Sequence, residues 1–305
     1  MRFFVAGLAL VSLAQEPVFR ADLSLVHVDA EVTDGTRTLS GFHKEDFVVK
    51  DNGRPQPILY FSGDVEPLDL ILLFDVSGSM RTNLEGVAAS SSAALAELRQ
   101  GDRVAVMTFQ RKSSIVAPFT EDLTAVANTI RDEVLGGKFG GGTRLLAAVD
   151  DAAKYFMQDG KTHRRRAVLI LTDNYGQRSR RTMTVVEHLW EADALLSGLI
   201  VRSSADKALN TAIAVASPLT LLLEEGMEGV AEKTGGDTIK AADPAEAFRE
   251  AMRRIRLRYS LYYAVPPCRP GEQRRVEVQL TADALSRNPD ARVRARKGYV
   301  APART

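Results

Sequence analysis

The sequence predicts an α/β fold: a doubly wound, mainly parallel sheet inserted in a smaller all-β, sandwich-like domain formed by the N- and C-terminal flanks. Three observations predict it. Two segments, Leu68–Phe74 and Ala167–Thr172, are apolar at nearly every position, as strands must be when helices cover both faces. Around them, strand-like runs alternate with helical ones. Before Leu68 and after Arg258, apolar residues tend to recur at every second position, the period of a half-buried strand.

Taken in order, Ala21–Val32 alternates and ends at the turn signal Asp34-Gly35. Phe47–Lys50, closed by Asp51-Asn52-Gly53, and Ile58–Phe61 read as two more strands. After Leu68–Phe74 come a helical stretch over about Leu84–Leu98, a strand at Val104–Phe109, a short edge strand at Ser114–Pro118 and a helix over Leu123–Val134 that stops at Gly136-Gly137. Leu145–Met157 is helical, with Leu145, Ala148, Val149, Ala152, Ala153 and Phe156 on one face. Beyond Ala167–Thr172 follow a helix at Thr182–Asp193, a strand at Ala194–Val201, a short helix at Gly226–Lys233 and a strand at Asp237–Lys240. Asp243 caps a helix that Pro244 begins and that runs to about Ile255. Tyr259–Val265, Arg275–Leu280 and Ala291–Val300 return to the strand period. Neither flank is large enough to bury a core alone, so the two are expected to pair with each other. The expected organisation is therefore a leader over 1–14, a β flank over 15–66, an α/β domain over 67–257 and a second β flank over 258–305.

Composition narrows the function. Hydrophobic residues are 45% and charged residues 26% of the 305, near globular averages, which argues against a disordered, collagen-like or multi-pass chain. A net charge of +1 provides no overall field for nucleic acid or an anionic membrane. The single cysteine, Cys268, excludes an internal disulfide and a four-cysteine zinc site, and leaves a free thiol or an intermolecular disulfide. Met1-Arg2, the apolar run Phe3–Leu13 and the small residues Ser12 and Ala14 form the layout of a secretory signal, with cleavage expected after Ala14. The run is too short to span a bilayer, which takes ~20 residues. The mature chain is thus expected to be exported, periplasmic or extracellular, without a membrane span.

The residues that carry chemistry follow the first apolar strand: Asp75-Val76-Ser77-Gly78-Ser79. In an open parallel sheet, ligands bind beyond the carboxyl ends of the strands. One carboxylate and two hydroxyls are hard oxygen donors, suited to Mg²⁺, Mn²⁺ or Ca²⁺. The loop Gly140-Gly141-Gly142-Thr143 offers another hydroxyl on a backbone free to approach closely, and Asp173 a second carboxylate at the end of the other apolar strand. At these residues the chain resembles the von Willebrand factor A domain family, whose metal ion-dependent adhesion site has Asp-x-Ser-x-Ser, a later Thr and a later Asp. Asp75, Ser77, Ser79, Thr143 and Asp173 match it in order, and the resemblance covers about Leu68 to Arg258. It implies a divalent cation, Mg²⁺ first with Mn²⁺ or Ca²⁺ as alternatives, and an open coordination position for an acidic group of a protein partner. The flanks (Gly41-Phe42, Glu45-Asp46-Phe47, Asp51–Gln56, then Tyr259, Tyr262-Tyr263 and Arg296–Tyr299) resemble those of exported bacterial proteins that carry this domain.

Competing readings are weaker. Ser77 lacks the G-x-S-x-G context of a hydrolase nucleophile. Asp75 lacks the second aspartate two residues on that phosphoryl-transfer sites want. Gly136–Thr143 does not have phosphate-loop spacing. The basic clusters Arg164–Arg166, Arg178 with Arg180-Arg181, and Arg249–Arg258 read first as solvated faces or internal salt bridges. The middle one, following Asp173, is a candidate for attracting an acidic partner. The four histidines read as surface or half-buried residues, and Trp190 as core. The reading is a cation-dependent binding module and not an enzyme. The alternatives are a metal-independent assembly module and a metal-assisted hydrolase, whose general base could only be Asp75 or Asp173.

Overall fold

The computed structural model describes residues 24–302 apart from 36, 64, 161–162, 174–181, 202–225 and 242. The expected leader and Arg178, Arg180 and Arg181 lie outside the described residues.

Both flanks build one sandwich. The N-terminal flank supplies β1 (Leu25–Asp34), β2 (Arg37–Thr38), β3 (Phe47–Asp51), β4 (Arg54–Gln56) and β5 (Tyr60–Ser62). The central segment then supplies β6 (Leu68–Asp75), α1 (Arg81–Leu95), β7 (Arg103–Phe109), β8 (Ser113–Thr120), α2 (Leu123–Thr129), α3 (Leu145–Gln158), β9 (Arg165–Thr172), α4 (Thr182–Glu191), β10 (Ala194–Val201), α5 (Met227–Thr234), β11 (Thr238–Ala241) and α6 (Pro244–Arg256). The C-terminal flank adds β12 (Tyr259–Ala264), β13 (Gln273–Leu280), α7 (Ala282–Arg287), β14 (Ala291–Ala295) and β15 (Gly298–Val300). One antiparallel sheet runs β14-β1-β12-β5, with β2 beside β1, and the other runs β15-β13-β3-β4. Strands from the two ends of the chain alternate in the first sheet and meet at the β13–β3 pair in the second, so each sheet draws on both flanks. Val26, Val28, Ala30 and Val32 of β1 face a shared core with Phe47, Val49, Leu261, Tyr263 and Val276. At its centre the buried Asp51 accepts hydrogen bonds from the hydroxyls of Tyr263 and Tyr299, both at 2.9 Å, and from Arg274 Nε at 2.7 Å, which ties the two sheets together.

The central segment forms the sheet β11-β10-β9-β6-β7-β8, parallel throughout except for β8 at the edge. Alternation along β6 sorts its side chains into two layers. Leu70, Leu72 and Phe74 pack with α1, α2 and α6; Ile71 and Leu73 pack with α3, α4 and α5. That is why β6 and β9 are buried at every position. Asp243 caps α6 as expected, its Oδ1 accepting from the amides of Ala245 at 2.9 Å and Glu246 at 3.3 Å.

Several expected elements shift. The helix expected from Leu84 begins at Arg81, because a 3-10 turn over Gly78–Met80 runs straight into it. The helix expected over Leu123–Val134 is α only to Thr129, with a π turn over Ile130–Val134. The single strand expected over Ala291–Val300 is two. It breaks where Arg296 turns its guanidinium to Asp193 at 2.6 Å and to the carbonyl of Trp190 at 3.1 Å. The strand β4 and the helix α7, capped by Thr281, were not anticipated.

The sandwich meets the sheet at the N-terminal ends of its parallel strands. Arg165, fully buried at the start of β9, reaches both carboxylate oxygens of Asp29 at 3.1 Å and the carbonyl of Ile255 at 2.7 Å. Arg258, between α6 and β12, reaches Glu31 at 3.3 Å. His27 Nδ1 lies 2.8 Å from the other oxygen of Asp193. Of the clusters Arg164–Arg166 and Arg249–Arg258, expected as solvated faces or internal salt bridges, Arg165, Arg166, Arg256 and Arg258 are buried and Arg249 is exposed.

Candidate metal centre

The sheet order reverses between β6 and β9: the chain leaves β6 to one side for β7 and later crosses to the other side for β9. Phe74 and Leu171 are register partners, so Asp75 and Thr172-Asp173 emerge together at the C-terminal edge, where such sheets hold ligands.

Four of the five expected residues are joined there. The Asp75 carboxylate is buried, accepting from the Ser77 amide at 2.9 Å on Oδ1 and from the Thr172 hydroxyl at 2.8 Å on Oδ2. The hydroxyls of Ser77 and Ser79 stand 3.2 Å apart, and that of Ser79 donates to Asp173. Thr143 is placed by its loop. Gly140 pairs with Ser77 in a parallel bridge, its amide donating to the carbonyl of Val76 and its carbonyl accepting from Gly78, both at 3.1 Å. A Cβ on Gly140 would sit 1.9 Å from Oε1 of Gln110, so a larger residue there would push the Gln110 side chain aside. The amide of Arg144, next to Thr143, donates to the carbonyl of Gln110 at 2.9 Å.

Burial pushes the Asp75 carboxyl above its ordinary range. The Asp173 charge adds to that, against the Ser77 amide and the Thr172 hydroxyl, which pull it down. A buried carboxylate beside another calls for a counter-charge, and a divalent cation is one. The donors converging here are carboxylates and hydroxyls, all hard oxygens. Among the described residues no three His, Cys, Asp or Glu groups cluster, so a cation at this edge depends on the hydroxyls of Ser77, Ser79 and Thr143.

Residues 70–177 match the family model described as the von Willebrand factor type A domain. This stretch is a von Willebrand factor A domain. No curated protein matches the chain. Among solved structures, the A domain's fold neighbours include an aerotolerance-related membrane protein from Bacteroides fragilis carrying multiple mutations to serines. It is 16% identical, with 62% of this chain and 98% of that one covered, at a TM-score of 0.47. BatB from Bacteroides thetaiotaomicron is 16% identical over 62% of this chain and 97% of that one, at 0.45. A von Willebrand factor type A protein from Catenulispora acidiphila is 13% identical over 93% of this chain and 76% of that one, at 0.47.

Two contributors to the A domain's edge were not singled out by sequence reasoning. Thr172 was seen only as the neighbour of Asp173, yet it orients Asp75; its place as the last residue of β9, opposite the end of β6, was the available signal. Gln110, at the end of β7, holds the Thr143 loop through backbone and packing, which leaves no pattern in a sequence. Cys268 is a half-buried free thiol packed against the sandwich core. Among the described residues no helix is long and apolar enough to cross a membrane.

Proposed function

We propose that this chain is a divalent-cation-dependent binding module of an exported protein, taking an acidic group of a protein partner at the C-terminal edge of its A domain. The observation that carries the reading is the hydrogen-bonded run from Thr172 through Asp75, Ser77 and Ser79 to Asp173 at the switch point of the sheet. Asp75, Ser77, Ser79, Thr143 and Asp173 are the residues that would hold the ion, with Mg²⁺ first among the hard cations. Bound there, the ion supplies a positive centre for an incoming carboxylate. Thr172 and the Ser77 amide keep the Asp75 oxygens aimed, and Gly140 keeps the Thr143 loop at the edge. The sandwich presents this edge from the opposite end of the strands. The role proposed for these residues is binding and not turnover.

Isothermal titration with Mg²⁺ or Mn²⁺ tests it. The wild type is expected to take up one ion, and Asp75→Ala and Ser77→Ala to lose it. No uptake by the wild type, or uptake by both variants equal to that of the wild type, overturns the reading. Full partner binding in chelator would mark a metal-independent assembly module instead.

A further inference from the structure

Three segments beside the candidate centre carry charge of one sign. Residues 76–84, 110–120 and 135–149 contain Arg81, Arg111, Lys112, Lys138 and Arg144, and no aspartate or glutamate, in a chain whose net charge is only +1. All five side chains are exposed. The three loops form one surface: the amide of Val76 donates to the carbonyl of Phe109 at 2.9 Å, Gly140 bridges to the loop of Ser77, and Arg144 bonds Gln110.

Two of these cations are held in place. The guanidinium of Arg81 lies 4.8 Å above the ring of Phe139. Arg111 Nε donates to the carbonyl of Gly141 at 3.0 Å, and its side chain stands 3.2 Å from where a Cβ of Gly142 would be. Phe139, Gly141 and Gly142 belong to the loop that carries Thr143, so both guanidiniums are pinned to that loop. Neither forms an ion pair among the described residues. A ring face and a neutral carbonyl position a guanidinium without neutralising it, and a side chain already ordered loses less entropy when it engages a ligand.

We infer that this rim selects a run of acidic residues in the partner, in which carboxylates next to the metal-bound one pair with Arg81 and Arg111. Guanidinium and carboxylate match as planar forks. The clause about the metal-bound carboxylate rests on the proposed function; the pairing with the two arginines does not. A protein ligand fits better than a nucleic acid, because the Phe139 ring is covered by Arg81 and not offered to a base.

The test uses the full chain and two labelled glycine–serine peptides, one with four adjacent aspartates and one with a single aspartate, followed by fluorescence anisotropy in Mg²⁺ and in EDTA. The four-aspartate peptide is expected to bind more tightly. The double variant Arg81→Gln, Arg111→Gln is expected to weaken it about fivefold, as two exposed ion pairs would. Mg²⁺ uptake should not fall, and the double Arg→Lys variant, which keeps the charge but not the fork, should restore part of the loss. Equal binding of the two peptides, or wild-type binding by the Gln variant, overturns the inference. So does tighter binding of a polyphosphate of matching charge, which would assign the rim to phosphate polymers. If Asp75→Ala leaves peptide binding in Mg²⁺ untouched while the Gln variant weakens it, the metal reading fails and the rim stands.

Discussion

Carboxylates are buried at both ends of the parallel strands, and they are balanced in opposite ways. At the lower end, the buried Glu31, the largely covered Asp29 and the half-exposed Asp193 each face a guanidinium of the same chain: Arg258, Arg165 and Arg296. At the upper end, the groups acting on Asp75 are an amide, hydroxyls and the Asp173 carboxylate. A carboxylate matched by a built-in cation is finished as structure. Asp75 is served by hydrogen-bond donors beside a second negative charge, and on the proposed function a cation would supply the balance there. On that reading the fold separates acids that hold it together from an acid kept for a ligand.

The largest effect expected from breaking this contrast is at the lower end. Arg165→Ala removes the nearer of the two guanidiniums beside Asp29, leaving Arg258 Nε at 3.8 Å, and strips the buried carbonyls of Ile255 and Arg256 of a donor, which together cost about 3–5 kcal/mol; urea denaturation reads it. A loss below about 1 kcal/mol would show that the junction is not the ionic lock described. At the upper end, Asp75→Asn should move the stability of the cation-free protein by no more than about 1 kcal/mol, because it removes one of two like charges. The same change should weaken Mg²⁺ uptake at least about tenfold to a hundredfold. Were the variant as unstable as Arg165→Ala, the two ends would be alike and the contrast would fail.

Acid sharpens the comparison, because the pKa shifts have opposite signs. The Asp75 pKa is raised, so its contribution to the cation-free fold is present at low pH and is lost as pH rises through that raised value. Mg²⁺ uptake should run the other way, falling on acidification from above the ordinary aspartate range of about 4, as protons compete for the oxygens. Flat uptake down to that range would remove Asp75 from the ligand set. At the junction, burial pulls the His27 pKa down but the Asp193 charge outweighs it, leaving it raised. Burial likewise pushes Asp193 up, and His27 and Arg296 bring it below its ordinary value. The pair therefore stabilises between those two values, and the His27 part is lost as pH rises through its raised pKa. His27→Gln should cost about 1 kcal/mol near pH 5 and less above pH 8, read as the gap between melting temperatures. A gap that widens with pH would contradict this sign. The smallest effect belongs to an exposed pair: Arg37→Ala, opposite Asp34 at 3.2 Å, should stay within about 0.5 kcal/mol.

Much of this architecture was legible because burial on two faces leaves a mark in one dimension. Leu68–Phe74 and Ala167–Thr172 are apolar throughout, and the polar residues that follow them could only be at a strand end. That put Asp75, Ser77, Ser79 and Asp173 together before any coordinates. The flanks also announced their period. What stayed hidden is set by partners distant in sequence. The break at Arg296 is made by Asp193, and the hold on the Thr143 loop by a backbone carbonyl at Gln110. The pinning of Arg81 and Arg111 depends on a ring and a carbonyl some thirty to sixty residues away. Side chains that cap, stack or reach a carbonyl follow no period, so no pattern of spacing marks them.

The two ends of the strands also define a mechanical axis. The candidate site lies at one end of β6 and β9, and the sandwich is fastened at the other, with only Leu257 and Arg258 between α6 and β12. A ligand that tugs on the upper edge pulls lengthwise along two strands buried at every position, a direction in which a sheet yields little. The load then arrives at Arg165, Arg258 and Arg296, whose ion pairs join the two bodies. For a pull at the upper edge, those ion pairs lie in the path between the sheet and the sandwich.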